Sequence, residues 1–319
     1  ENLMNFGQII KRSWQLICKY RFLWWLGILA LFTESGFASL PNLNLYGFGN
    51  AFSQPEQPSN FTPSDASHIL GASTQNFWSN YAILILLGTV LILILVIVIL
   101  YLSYCAKAGL ILAVENYETE NKPFNFKIAF CKGKLFFWRL FGLNLLIGLF
   151  LFLTFLVLAS PVVIALVISR ALPVLALVVG YGILAAIFSI VLVVYLTIAL
   201  KLAERIIVLE NKRVSAAIEQ ARHLVRIQLG NSLLAWLINL GIALGYVFGL
   251  SIALLFVGGI LLGLGLIIYF IAKIWAAAIF AGIAVIALAM ALLFVNGIFT
   301  AFISSYWTLS YKALQKLAK

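Results

Sequence analysis

The sequence predicts an all-α integral membrane protein with six transmembrane helices. They form three hairpins, each preceded by a cytoplasmic amphipathic interfacial helix. Three observations carry that expectation. Hydrophobic residues make up 64% and charged residues 10% of the 319 residues, a balance outside that of soluble domains. Runs such as 81–102 hold no charge and are long enough to cross a hydrocarbon core of about 30 Å. One short phrase also recurs three times, each time closing a long apolar stretch. It reads Tyr101-Leu-Ser103-Tyr-Cys-Ala-Lys107, then Tyr195-Leu-Thr197-Ile-Ala-Leu-Lys201, then Tyr306-Trp-Thr308-Leu-Ser-Tyr-Lys312. A tyrosine at headgroup level followed by the first lysine after a lipid-like run marks an inner membrane margin, with the lysine snorkelling towards the cytoplasm. A transmembrane barrel would need alternating segments of about ten residues, a pattern this chain lacks.

Charge sets the expected orientation. Of 21 Lys and Arg, four precede residue 22, six lie in 107–139, six in 201–226 and three in 312–319. Only Arg170 and Lys273 fall elsewhere, and 22–106 contains neither residue type. The positive-inside rule then places both termini and the two basic segments in the cytoplasm. The net charge of +11 also favours anionic lipid headgroups, at roughly 1 kcal/mol per residue near the surface. Basic residues divided among four segments that flank spans do not form a nucleic-acid reader.

In chain order, Phe6–Lys19 comes first, with Gln8, Lys11, Arg12, Gln15 and Lys19 on one arc and Phe6, Ile9, Ile10, Trp14, Leu16 and Ile17 opposite. Such a helix suits the inner interface or packs on the protein's own cytoplasmic face; the two are compatible. Residues 22–40 read as a first span rather than a cleaved signal peptide, with Glu34 near its outer end. The outer loop 41–80 is rich in Asn, Ser, Gly and Pro. Its Pro55, Pro58 and Pro63 predict irregular structure, and it offers a surface for an external protein partner. It carries the Asn60-Phe-Thr62 sequon, a weak signal.

The second span covers 81–106 and continues as helix to 114. A cytoplasmic segment, 115–134, follows, with Asn125 as expected N-cap. The third span is 139–167, kinked at Pro161, and the fourth is 172–200. Val114-Glu115-Asn116 recurs as Leu209-Glu210-Asn211. A further amphipathic helix spans 215–228, capped by Ser215, with Glu219, Arg222, His223 and Arg226 on one face. The following spans match at Asn144 and Asn239. Residues 233–309 hold two long spans, with Lys273 at an outer turn as Arg170 is in the preceding unit. The result is a single membrane domain, 1–319, of three pseudo-repeats at 5–120, 121–211 and 212–319. Assembly about a pseudo-threefold axis would put Tyr101, Tyr195 and Tyr306 at similar depth.

Gly241, Gly245 and Gly249 share one face of the fifth span, a spacing that permits close helix approach within the subunit or against a partner. Lys11, Arg12, Lys19, Arg222 and Arg226 are the expected lipid-headgroup contacts. Catalytic clusters are scarce. The two histidines, His68 and His223, fall on opposite sides of the membrane. Glu219 and His223, one helical turn apart, read as a surface pair. A catalytic reading would require His223, Glu219 and Glu115 to meet. Cys18, Cys105 and Cys131 contain no C-x-x-C and argue against a disulfide or thiolate metal site. No cofactor, metal or enzymatic activity is expected. Asn144, Asn239 and Asn296 read as helix-packing amides, or as parts of a solute path if they converge.

Phe6…Ile10…Ser13-Trp14 leading into Phe22-Leu-Trp-Trp-Leu-Gly27 carries a resemblance, as do Arg205-Ile-Ile-Val-Leu-Glu210, Val214…Ala217-Ile218 and the Tyr-x-Thr endings. The chain resembles uncharacterised prokaryotic membrane proteins related to the membrane domain fused to some glycerophosphodiester phosphodiesterases. The phosphodiesterase barrel and its metal-binding residues are absent from this sequence. The resemblance therefore implies a membrane module of a prokaryotic cytoplasmic membrane without hydrolase activity. The leading expectation is a non-catalytic membrane scaffold or complex subunit contacting anionic lipids through its basic helices; a transporter or channel for a small or lipidic solute is the alternative.

Overall fold

The computed structural model describes residues 4–34, 63–119, 124–168 and 172–318. Within them the chain is helical, with no strand. The helices are α1 (Phe6–Lys19), α2 (Phe22–Glu34), α3 (Pro63–Thr119), α4 (Phe126–Gly133), α5 (Phe137–Ile168), α6 (Leu172–Leu209) and α7 (Val214–Ile227). Helical backbone then runs from Leu229–Leu317, as two arms, α8 (Leu229–Ile271) and α9 (Trp275–Leu317). The arms lie against each other: Tyr246 stacks on Phe299 with ring centroids 3.8 Å apart, and the Tyr306 hydroxyl donates to the Ala235 carbonyl at 3.0 Å. A Cβ on Gly265 would lie 3.9 Å from the Phe280 ring, so the reversal falls between these two residues and the last apolar stretch forms two long arms.

Among the described residues, five helices are long and apolar enough to cross a membrane, or six when α1 and α2 count as one broken span. α1 and α2 meet at 109°. Their corner is held by the Trp24 indole, which donates to the Ile17 carbonyl at 3.0 Å. The last six residues of the expected first span, 35–40, lie outside the described residues. The same holds for residues 41–62 of the outer loop, including the sequon, and for Arg170.

The expectation of irregular structure fails for 63–80, which is helix. Pro63 occupies the first helical position, where its missing N–H is no loss. No proline follows until Pro123. The capping residues also differ from expectation. Asn125 is the N-cap of α4 but makes no side-chain cap hydrogen bond. α7 starts one residue earlier than expected, with Arg213 rather than Ser215 at the cap. α6 ends where Asn211 takes a left-handed conformation, φ 53°, which Asn tolerates better than most residues.

Burial is strongly one-ended. Each last arm holds 43 residues, about 65 Å at 1.5 Å per residue and twice the hydrocarbon thickness. The most apolar windows of α8 and α9 contain no buried residue, and those of α3, α5 and α6 contain few. The core instead gathers at the basic end. One cluster joins Leu143, Leu202, Ile206, Ala221, Trp307 and Tyr311; the other joins Ile17, Leu26, Leu110, Val114, Ala129 and Leu309. Each fully buried large apolar side chain contributes about 1.5–3 kcal/mol. A packed head of helix ends thus carries long apolar arms exposed along most of their length.

Two close approaches tighten this head. A Cβ on Gly27 of α2 would overlap the Gly297 carbonyl of α9, and one on Gly297 would overlap Ile28. Likewise Gly109 of α3 abuts the Ala129 carbonyl, and Gly133 of α4 abuts the Cys105 carbonyl.

Candidate functional site

The most concentrated chemistry sits where α3, α5 and α6 enter the head. Glu204 is fully buried near the basic end of α6, and both carboxylate oxygens are engaged. Lys107 Nζ lies 2.6 Å from Oε1, and Arg205 Nη1 lies 2.9 Å from Oε2. The Asn144 amide donates to Oε1 at 3.3 Å and to the Leu140 carbonyl at 3.0 Å. Arg205 also donates to the Lys201 carbonyl at 3.1 Å. Burying such ions costs several kcal/mol each and is tolerated only with this degree of pairing. Three donors from three side chains hold the two carboxylate oxygens, so the arrangement joins α3, α5 and α6.

A second group holds the end of α9. Lys312 Nζ lies 2.6 Å from Glu115 Oε2. Glu210 accepts from the Tyr311 hydroxyl, from Gln315 at 3.0 Å and from Gln220 at 3.1 Å, with Lys212 at 2.9 Å. Burial works to raise the Glu210 pKa, but the hydrogen bonds of Tyr311, Lys212 and Gln220 outweigh it and hold the carboxyl below its ordinary value. The repeated Glu-Asn pairs therefore use their glutamates alike: both grip the final copy of the Tyr-x-Ser/Thr-x-x-x-Lys phrase.

That phrase meets three different surroundings. Tyr101 is partly exposed and packs edge-on against Phe137, Tyr195 is half-buried, and Tyr306 is fully buried. Thr197 and Thr308 bond to carbonyls of their own helix, Val193 and Ser304. Ser103 instead donates across to the Leu29 carbonyl of α2 at 2.6 Å. Snorkelling is corrected for Lys107, which is 1% exposed, because Glu204 offers a nearer anion than the surface does. Lys312 is partly exposed in its pair with Glu115, and Lys201 is half-buried.

The glycine stripe is placed differently from expectation. A Cβ at Gly241, Gly245 or Gly249 would meet nothing within 4 Å, so these positions are not close helix contacts within the chain. The tight contacts at Gly27, Gly109, Gly133 and Gly297 were legible only as isolated glycines. Asn296 accepts from the Tyr246 hydroxyl at 2.9 Å, whereas Asn144 joins Glu204; the two amides serve separate contacts.

Lys11, Arg12, Lys19, Arg222 and Arg226 are all exposed. Arg12 bonds Glu118 at 2.8 Å, and that hydrogen bond pushes the guanidinium further above its ordinary value. Glu219 and His223 are exposed on α7, while Glu115 is engaged by Lys312. Among the described residues, no group of three or more His, Cys, Asp or Glu is placed to hold a metal ion. Comparisons with protein-family models, with curated proteins and with solved structures returned no match.

Proposed function

We propose that the chain is a non-catalytic membrane scaffold or complex subunit whose head organises three hairpins that stand apart in the bilayer. The observation that carries this reading is the one-ended burial: the apolar arms are exposed along their length while the core and paired charges gather at one end. Exposed apolar arms need lipid or partner helices around them. In this reading α2 completes the sixth span, α1 and α7 lie at the cytoplasmic interface, and both termini are cytoplasmic, in keeping with the charge bias. The exposure of Trp14 on one arc of α1 and of Lys11 and Lys19 on the other supports contact of α1 with anionic lipid. The resemblance to the phosphodiesterase-fused membrane domain supports a prokaryotic cytoplasmic membrane. A solute path is less well supported, since Asn144 and Asn296 serve separate contacts.

The test is gentle extraction followed by identification of retained proteins and lipids. Co-purifying membrane proteins and anionic lipid are expected. A lone monomer with measurable turnover or solute flux overturns the reading.

A further inference from the structure

A groove of about 780 Å³ runs between α1 and the end of α9. Four cations line it: Lys11 and Arg12 from α1, Lys312 and Lys316 from α9. Arg12 is committed to Glu118, which also lines the groove, and Lys312 to Glu115. Lys11 and Lys316 are exposed and make no ion pair among the described residues, so a surplus of two positive charges faces the opening. The floor is apolar, with Met4 and Leu309 buried at its base. At the helix ends, the Leu317 carbonyl accepts from Gln228 at 3.3 Å, and Asn5 caps the start of α1 through the Gln8 amide at 3.2 Å. The carbonyl that closes α9 is thus already satisfied.

We infer that this groove binds the phosphodiester headgroup of one anionic phospholipid, with Lys11 and Lys316 clamping the phosphate and the apolar floor covered by the glycerol and first methylenes. The inference rests on the lipid-contact reading above and narrows it from a diffuse basic face to one site shared by the first and last helices. Two ammonium groups on facing helices match a single phosphate by charge. A free phosphate would satisfy the lysines and leave the floor uncovered, so the lipid is the better fit. The site also couples lipid binding to docking of α9, because Lys312, the partner of Glu115, forms part of its wall.

The experiment is native mass spectrometry of the full chain titrated with phosphatidylglycerol or phosphatidylcholine in detergent. The wild type should prefer phosphatidylglycerol. Lys11→Gln with Lys316→Gln should weaken its tightest site about thirtyfold, the attraction expected from two surface cations. Both residues are exposed, so folding is retained, and Lys11→Arg with Lys316→Arg should restore binding. A glutamine pair that binds like wild type overturns the groove. If Arg222→Gln with Arg226→Gln abolishes the preference instead, the groove fails while the lipid-contact reading survives. No preference in the wild type sinks both. Displacement of the lipid by equimolar inorganic phosphate overturns the assignment to a lipid.

Discussion

Glu115 of α3 and Lys312 of α9 are paired at 2.6 Å across almost two hundred residues of chain. With the contact of Tyr311 on Glu210, this pair ties the final helix to α3 and to the end of α6. The end of α9 is therefore the keystone of the head, and its loss should loosen the packing of α3 and α6 against it.

That clamp carries a pH dependence. The folded-state pKa of Glu210 is depressed. Its stabilisation is therefore fully present above the ordinary value of 4.5 and is lost as pH falls below that value towards the folded pKa. The wild type should exceed Glu210→Gln in thermal stability at pH 7, and the gap should close between pH 4.5 and lower values. A gap that stays constant over that range would remove Glu210 as the source.

Glu204 should matter more than either of its cationic partners. Glu204→Gln leaves Lys107 and Arg205 buried without their anion, at about 3–5 kcal/mol. Lys107→Met leaves Glu204 its Arg205 and Asn144 contacts and should cost about half as much. Thermal unfolding in detergent reads both. Equal losses would mean that the carboxylate is not the hub.

The three copies of the repeated phrase should respond unequally. Ser103→Ala removes a hydrogen bond between α2 and α3 and should cost about 1 kcal/mol. Thr197→Val removes only a bond within its own helix and should cost under about 0.5 kcal/mol. Equal effects at the two positions would argue for a common role that the contacts do not predict.

Gly27→Ala should be among the most damaging conservative changes, since its Cβ would strike the Gly297 carbonyl. Overpacking of this kind costs about 1–3 kcal/mol. Gly245→Ala, which meets open space, should stay within about 0.5 kcal/mol in the isolated chain. Loss of a co-purifying protein from Gly245→Ala at unchanged stability would identify that face as a contact with a partner.

Topology can be read from cysteine chemistry. Cys18 and Cys131 are exposed and Cys105 is buried. An impermeant thiol reagent should modify the first two only from the cytoplasmic side, with Cys105 reacting after unfolding. Labelling of Cys18 from outside would reverse the proposed orientation.

Composition and hydropathy alone determined the all-helical, membrane-spanning class, because a charge-free run of twenty residues has few other stable solutions in water or lipid. Periodicity likewise placed α1 and α7, whose buried faces follow the pattern of Leu16, Ile17, Ala217 and Ala221. Tyr, Ser/Thr and Lys recur inside α3, α6 and α9, short of the helix ends, but the recurrence did not reveal that Lys107 is buried or that, of its hydroxyls, Ser103 alone bonds across helices. Those outcomes depend on which neighbour each end meets, and a local repeat carries no information about neighbours. Glu204 drew no notice in the sequence, since a single carboxylate near basic residues looks like a solvated pair. Only tertiary structure decided that it is the shared anion of three helices. The same holds for Gly27 and Gly297, whose importance exists only because two backbones approach within the space a methyl would need.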